Sequence, residues 1–176
     1  MEIGETGSIK VDSKFRTNDS DIYAVGDAIE VENRLLGSKS RLTLAGPAQL
    51  EARIAANNMF GINETGEGFI GSSVLRIFNL NAASTGLNEK AAGNAGLKYG
   101  FSYVIPNDKV GLMPESHVMH FKLLYEIPGG KILGAQAIGK GAVDKRIDVI
   151  AAMISMGGTV DNLKKLELCY SPLFGT

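Results

Sequence analysis

The sequence predicts an α+β protein whose main layer is an antiparallel sheet with helices to one side. Three observations predict it. A short apolar run, Ile22-Tyr23-Ala24-Val25, ends at Gly26-Asp27 and is followed by a helical segment from Gly46 to Gly61. A stretch rich in Gly and polar residues, 63–71, then marks a boundary, dividing the chain into residues 1–70 and 71–176. Beyond it the segments run in the order β-α-β-β-β-α-α, the pattern of a sheet whose helices are segregated to one face.

In the first part, Gly7 to Val11 reads as a short strand with Ile9 and Val11 on one face. Ile22 to Val25 is long enough for a buried strand, with Asn18 to Asp21 as its entry turn. Residues 29–43 mix charge with Gly and Ser and read as a surface connection. Pro47 near the start of the next segment and Gly61 past its end are helix punctuation, and the alanines between them suit close packing.

In the second part, Ser73 to Leu80 reads as a strand and Asn88 to Gly96 as a short Ala-rich helix. Tyr99 to Ile105 alternates as a strand does. His117 to Ile127 and Lys131 to Ile138 form a hairpin across Pro128-Gly129-Gly130. Val143, Ile147, Ile150, Ala151 and Ile154 recur at helical spacing up to Gly157-Gly158. Thr159 can cap one more short helix, with Asp161 in its first turn.

Composition narrows the function. A hydrophobic content of 44% with 21% charged residues belongs to a folded protein. A net charge of −1 argues against nucleic acid or an anionic membrane as partner. No apolar run approaches the roughly 20 residues that span a bilayer. Met1 to Glu5 lacks the basic and apolar regions of a signal peptide. The lone Cys169 excludes an internal disulfide and a CxxC pair, so the expected compartment is the cytoplasm. The sequons at Asn18 and Asn63 are then chance matches.

Two glycine motifs fail on context. Gly66 to Gly71 spells G-x-G-x-x-G, but a polar turn precedes it and a β-rich run follows, so it reads as a linker. Gly134 to Gly141 resembles a phosphate loop but ends in Gly141 where Ser or Thr must hold magnesium, and it lies inside a strand pattern. His117 and His120, three apart in a predicted strand, are expected on opposite faces and unable to share a metal, so no metal site is expected. Cys169 is expected to be a small buried hydrophobe, and Met113, Met119, Met153 and Met156 core fillers.

The residues that carry chemistry lie around Gly26-Asp27. Glycine lets the backbone approach a ligand, and an ionised Asp at a strand's carboxyl end accepts hydrogen bonds from hydroxyls. Thr17-x4-Ile22-Tyr23-Ala24-x-Gly26-Asp27 resembles the second flavin fingerprint of the pyridine nucleotide-disulfide oxidoreductases, and Leu44-Ala45-Gly46-Pro47-Ala48 resembles that family's flavin-facing helix start. Ala83 to Glu89, Ile132 to Gly139, Val143 to Ile150 and the closing Glu167-Leu168-Cys169-Tyr170-Ser171-Pro172-Leu173-Phe174 resemble the dimerisation domain of its coenzyme A-disulfide reductase and NADH oxidase/peroxidase branch.

The resemblance implies that residues 1–70 are the C-terminal remnant of an α/β FAD-binding domain and 71–176 a dimerisation domain. It implies that Asp27 bonds the ribityl chain of FAD beside Gly26, and that Leu44, Ala45 and Ala48 contact the isoalloxazine. The helix start there would stabilise negative charge on the reduced ring, and Pro47 removes only an amide that helices leave unpaired. Tyr170 is the implied active-site residue, reaching the partner subunit of a homodimer. Leu112-Met113-Pro114-Glu115 stands where coenzyme A-disulfide reductases carry Tyr-Tyr-Pro-Gly, a departure from that assignment. The first flavin motif, the redox cysteine and the NAD(P)H domain have no counterpart in these 176 residues. The expectation is therefore the C-terminal piece of a longer FAD- and NAD(P)H-dependent oxidoreductase acting on a disulfide, peroxide or oxygen, inactive by itself. The rival is a non-catalytic dimerisation or scaffold module without flavin, which has no need to keep Asp27 or the 44–48 helix start.

Overall fold

The computed structural model describes residues 1–175. They form two compact units, divided between Gly71 and Ser72.

The first unit is built of short pieces. The run Ile22–Val25 is not a strand: Tyr23 makes one antiparallel bridge to Arg16, and Ile22 is exposed. The neighbouring chain explains this. The Thr17 amide bonds Ile22 O and the Ala24 amide bonds Phe15 O, but Phe15 turns at φ 64 and ends the pairing. Gly7 to Val11 likewise yields only the bridges of Ile9 to Ile3 and Ile29.

Residues 29–43, expected as plain surface, contain a hairpin, β1 (Val31–Asn33) and β2 (Ser38–Ser40). Asn33 Oδ1 accepts from the Leu35 and Leu36 amides, at 3.0 and 3.2 Å, which turns the chain. Helix α1 (Ala45–Met59) follows, and Gly61 at φ 80 leads the chain away from it. Ile54 and Ala55 of α1 pack with Phe15, Ile29 and Val31 to make the core of the unit. The G-x-G-x-x-G stretch, expected as a linker, has neither strand before it nor helix after it, but it is packed into this unit: Phe69 bridges Asn33 and lies against the core.

The second unit is a five-stranded, wholly antiparallel sheet in the order β3-β4-β7-β6-β5. The expected strand 73–80 is in fact β3 (Ser72–Ile77), a two-residue turn at Phe78-Asn79, and the start of β4 (Leu80–Gly86). Phe78 itself takes the positive φ of that turn (53°), so no glycine marked it in the sequence.

Asn88 caps α2 (Glu89–Asn94), its Oδ1 accepting the Ala91 amide at 2.9 Å. Next come β5 (Tyr99–Val104), β6 (Met119–Glu126) and β7 (Ile132–Gly139), the last two joined through Pro128-Gly129-Gly130. The false phosphate-loop run lies along β7. Helix α3 (Val143–Ser155) buries Val143, Ile147, Ile150 and Ile154 against β4 and β7, whose small Ala83, Ala135 and Ala137 let it close in. Fully burying one such aliphatic side chain contributes about 1.5–3 kcal/mol. Thr159 and Asn162 form a reciprocal capping box on α4 (Val160–Leu163).

The opposite face of the sheet is a cleft of about 980 Å³, lined by Leu75, Leu80, Tyr103, Lys122 and Ile138 among others. His117 precedes β6 rather than lying within it, so strand alternation does not separate it from His120, and both line this cleft. The Tyr103 hydroxyl and His120 Nδ1 are hydrogen-bonded there. Met119 is core as expected, whereas Met156 at the end of α3 is exposed. Cys169 is exposed rather than buried, because the segment after α4 lies on the surface. Among the described residues no helix is long and apolar enough to cross a membrane.

Candidate functional site

The site begins with a tight turn. Gly26–Ala28 form one turn of 3-10 helix with Asp27 exposed, and Gly26 enters it at φ +72, a conformation that favours glycine. A Cβ placed on Gly26 would lie 3.7 Å from Ala48 Cβ, so the turn is packed on the first turn of α1. Leu44 is the extended N-cap residue (φ −132°, ψ 137°), and no side chain caps the helix. Ala45 and Gly46 are exposed, and Pro47 has no amide to satisfy.

The fold thus packs the Gly26–Ala28 turn against α1, with Gly26 beside Ala48 of its first turn. The pairing is chemically specific. A carboxylate accepts from hydroxyls, while an uncapped helix start offers amide donors and the positive end of a dipole. A ligand with a polyol chain and an electron-rich ring edge fits this donor set, and FAD has both.

Sequence reasoning missed Glu51. It is 1% exposed, and its Oε2 accepts the Gly26 amide at 2.6 Å. Burial pushes its carboxyl above the ordinary range; the Gly26 bond opposes this shift and the charge of Asp27 adds to it. The available signal was a carboxylate at helical spacing from Ala48, Ile54 and Ala55, on the face that packs inward.

Tyr170 belongs to the second unit and is 63% exposed on the segment after α4. Pro172 O accepts the Val110 amide at 3.2 Å, and Lys145 Nζ lies 5.7 Å from the centre of the Phe174 ring. The segment is therefore tied down around a tyrosine that it presents outward. Leu168, Leu173 and Phe174 are exposed alongside. Among the described residues no cluster of His, Cys, Asp and Glu has the makings of a metal site.

An antiparallel sheet with one helix-covered face, preceded in sequence by a short turn and a helix, defines the class: an α+β layer. The family model for the pyridine nucleotide-disulphide oxidoreductase dimerisation domain matches residues 73–175, and the chain belongs to this family. The coenzyme A disulfide reductase of Staphylococcus epidermidis is 30% identical over 171 residues, which are 97% of this chain and 39% of that protein. The NAD-dependent persulfide reductase from A. fulgidus superposes with a TM-score of 0.95 at 36% identity, over 98% of this chain and 32% of that one. The reduced Bacillus anthracis CoADR-RHD gives 0.94 at 40% identity, over 98% and 31%. The chain thus spans well under half the length of the relatives that it matches.

Proposed function

We propose that this chain is the C-terminal part of a cytoplasmic, homodimeric, FAD-dependent NAD(P)H oxidoreductase, to which it supplies part of the flavin site and the dimer interface. The carrying observation is the packing of the Gly26-Asp27 turn on the uncapped first turn of α1. A flavin held there would supply two-electron transfer between NAD(P)H and a substrate. Asp27 would accept a ribityl hydroxyl, Leu44, Ala45 and Ala48 would line the ring, and the Ala45 and Gly46 amides would stabilise negative charge on it. Tyr170, presented outward, offers its hydroxyl to the active site across the dimer.

A small-molecule disulfide is the favoured acceptor, ahead of peroxide or oxygen, because relatives at 30% identity or more carry disulfide or persulfide reductase names. The relatives' greater length supports a further proposal: the rest of the flavin site, the thiol and the NAD(P)H domain lie elsewhere in the protein, so residues 1–176 alone have no turnover.

The test uses the full-length protein. It is expected to purify with flavin, to lose its visible flavin absorbance on adding NAD(P)H, and to recover it on adding coenzyme A disulfide. Asp27→Ala is expected to weaken FAD binding about 10- to 100-fold, the worth of a hydrogen bond to a charged group. A full-length protein that neither binds flavin nor is reduced refutes the reading and leaves the scaffold alternative.

A further inference from the structure

Burying a carboxylate is costly unless the fold gains something by it. Among the described residues, Glu30 and Glu51 are the buried glutamates of the first unit. Glu30 is met by both the amide and the hydroxyl of Thr6, at 3.2 and 3.1 Å. Glu51 lies on the inward face of α1, between Ala48 and the core residues Ile54 and Ala55, where an apolar side chain would add to the core. It accepts a hydrogen bond from the Gly26 amide, 25 residues away in sequence. That amide belongs to the residue with the constrained positive φ, immediately before Asp27.

We propose that Glu51 is a positioning residue of the flavin half-site: it clamps the Gly26 amide to α1 and so fixes the Asp27 carboxylate relative to the first turn of that helix. The inference rests on the proposed flavin role of Asp27. The geometry is that of a tie. Gly26 has no side chain to lock against α1, and even an added Cβ would only reach Ala48 Cβ at 3.7 Å, an ordinary contact that does not resist sliding. A short bond from a carboxylate to an amide resists sliding, because it is directional and charge-assisted.

The clamp carries a pH signature. Burial raises the Glu51 carboxyl, and the charge of Asp27 in the turn raises it further. A carboxyl whose folded pKa is raised contributes stability that is fully present below its unfolded value, about 4.3, and is lost as pH rises through the folded one. The amide bond strengthens over the same window, because the ionised carboxylate is the better acceptor. Rising pH therefore trades stability of the first unit for a tighter clamp.

The test compares Glu51→Gln, Glu51→Leu and Asp27→Ala with wild type in the full-length protein, by FAD fluorescence titration and by melting temperature from pH 4 to 8. Glu51→Gln keeps an acceptor oxygen and is expected to keep near-wild-type FAD affinity, with flatter pH profiles of both affinity and melting. Glu51→Leu removes the buried charge and is expected to fold but to lose about tenfold or more in FAD affinity. Wild-type FAD affinity in a folded Glu51→Leu protein overturns the inference. If Glu51→Leu does not fold, the pH profiles decide, and wild type and Glu51→Gln with the same profile overturn it equally. Asp27→Ala separates the two readings. Weakened binding there, with unchanged binding in Glu51→Leu, sinks the clamp alone; unchanged binding in Asp27→Ala sinks the flavin role of Asp27 and the clamp with it.

Discussion

Replacing Gly134 by alanine should be among the most damaging single-methyl changes in this chain. Gly134 lies in β7 at the middle of the sheet, opposite Gly86 of β4 and Leu124 of β6. A Cβ there would stand 2.0 Å from Leu87 O and 2.6 Å from Leu87 N, far inside the ~3.5 Å of ordinary contact. Leu87 has little room to retreat. It is buried, its amide donates to Leu133 O at 2.8 Å, and its carbonyl accepts from Gln136 Nε2 at 3.2 Å. Overpacking costs about 1–3 kcal/mol and each broken hydrogen bond about 1 kcal/mol, so the total is roughly 2–5 kcal/mol.

For a domain near 100 residues that lowers Tm by roughly 10–30 °C. The control is Gly93→Ala, the same chemical change in α2, where a Cβ meets nothing within 4 Å. It should gain about 0.5–1 kcal/mol, as alanine does over glycine within a helix. Thermal and urea melts followed by circular dichroism decide the matter. If Gly134→Ala melts with the wild type, or Gly93→Ala loses as much as Gly134→Ala, close backbone approach is not what holds the sheet.

Tyr170→Phe should leave Tm unchanged, since the side chain is exposed, while slowing the disulfide turnover proposed for the full-length protein about 100-fold or more if its hydroxyl moves a proton. Unchanged kcat and an unchanged pH–rate profile would remove Tyr170 from the chemistry. Sedimentation of residues 1–176 at high concentration should give twice the 18.7 kDa of one chain, driven by apolar side chains such as Val74, Leu75 and Phe78 left uncovered on β3 and its turn. A single 18.7 kDa species would refute dimerisation through the second unit.

The second unit was the more legible in sequence because its signals are local. Glycine and proline mark the β6–β7 hairpin, isoleucines at helical spacing mark α3, and Thr159 marks the start of α4. The β3–β4 turn escaped because Phe78 and Asn79 carry no turn signature of their own; the pairing of two strands imposes the positive φ on Phe78. In the first unit, Ile22 to Val25 has a strand's composition, yet its neighbour turns away at Phe15. Composition shows what a segment can do, and partners decide whether it does.

The candidate site divides in the same way. Asp27 after a glycine and the helix start at Leu44 to Ala48 were visible as separate words, since each is set by residues within a few positions. That they touch, and that Glu51 ties them, depends on how α1 packs against the turn, a contact between residues 25 apart. The strand order β3-β4-β7-β6-β5 and the meeting of His117 with His120 in one cleft are equally long-range. By itself the sequence determined helices α1 to α4, the β6–β7 hairpin and the family words, because caps, turn residues and periodic apolar faces are short-range effects. Only the tertiary structure decided which buried carboxylate holds which amide, because burial is a property of the packed chain.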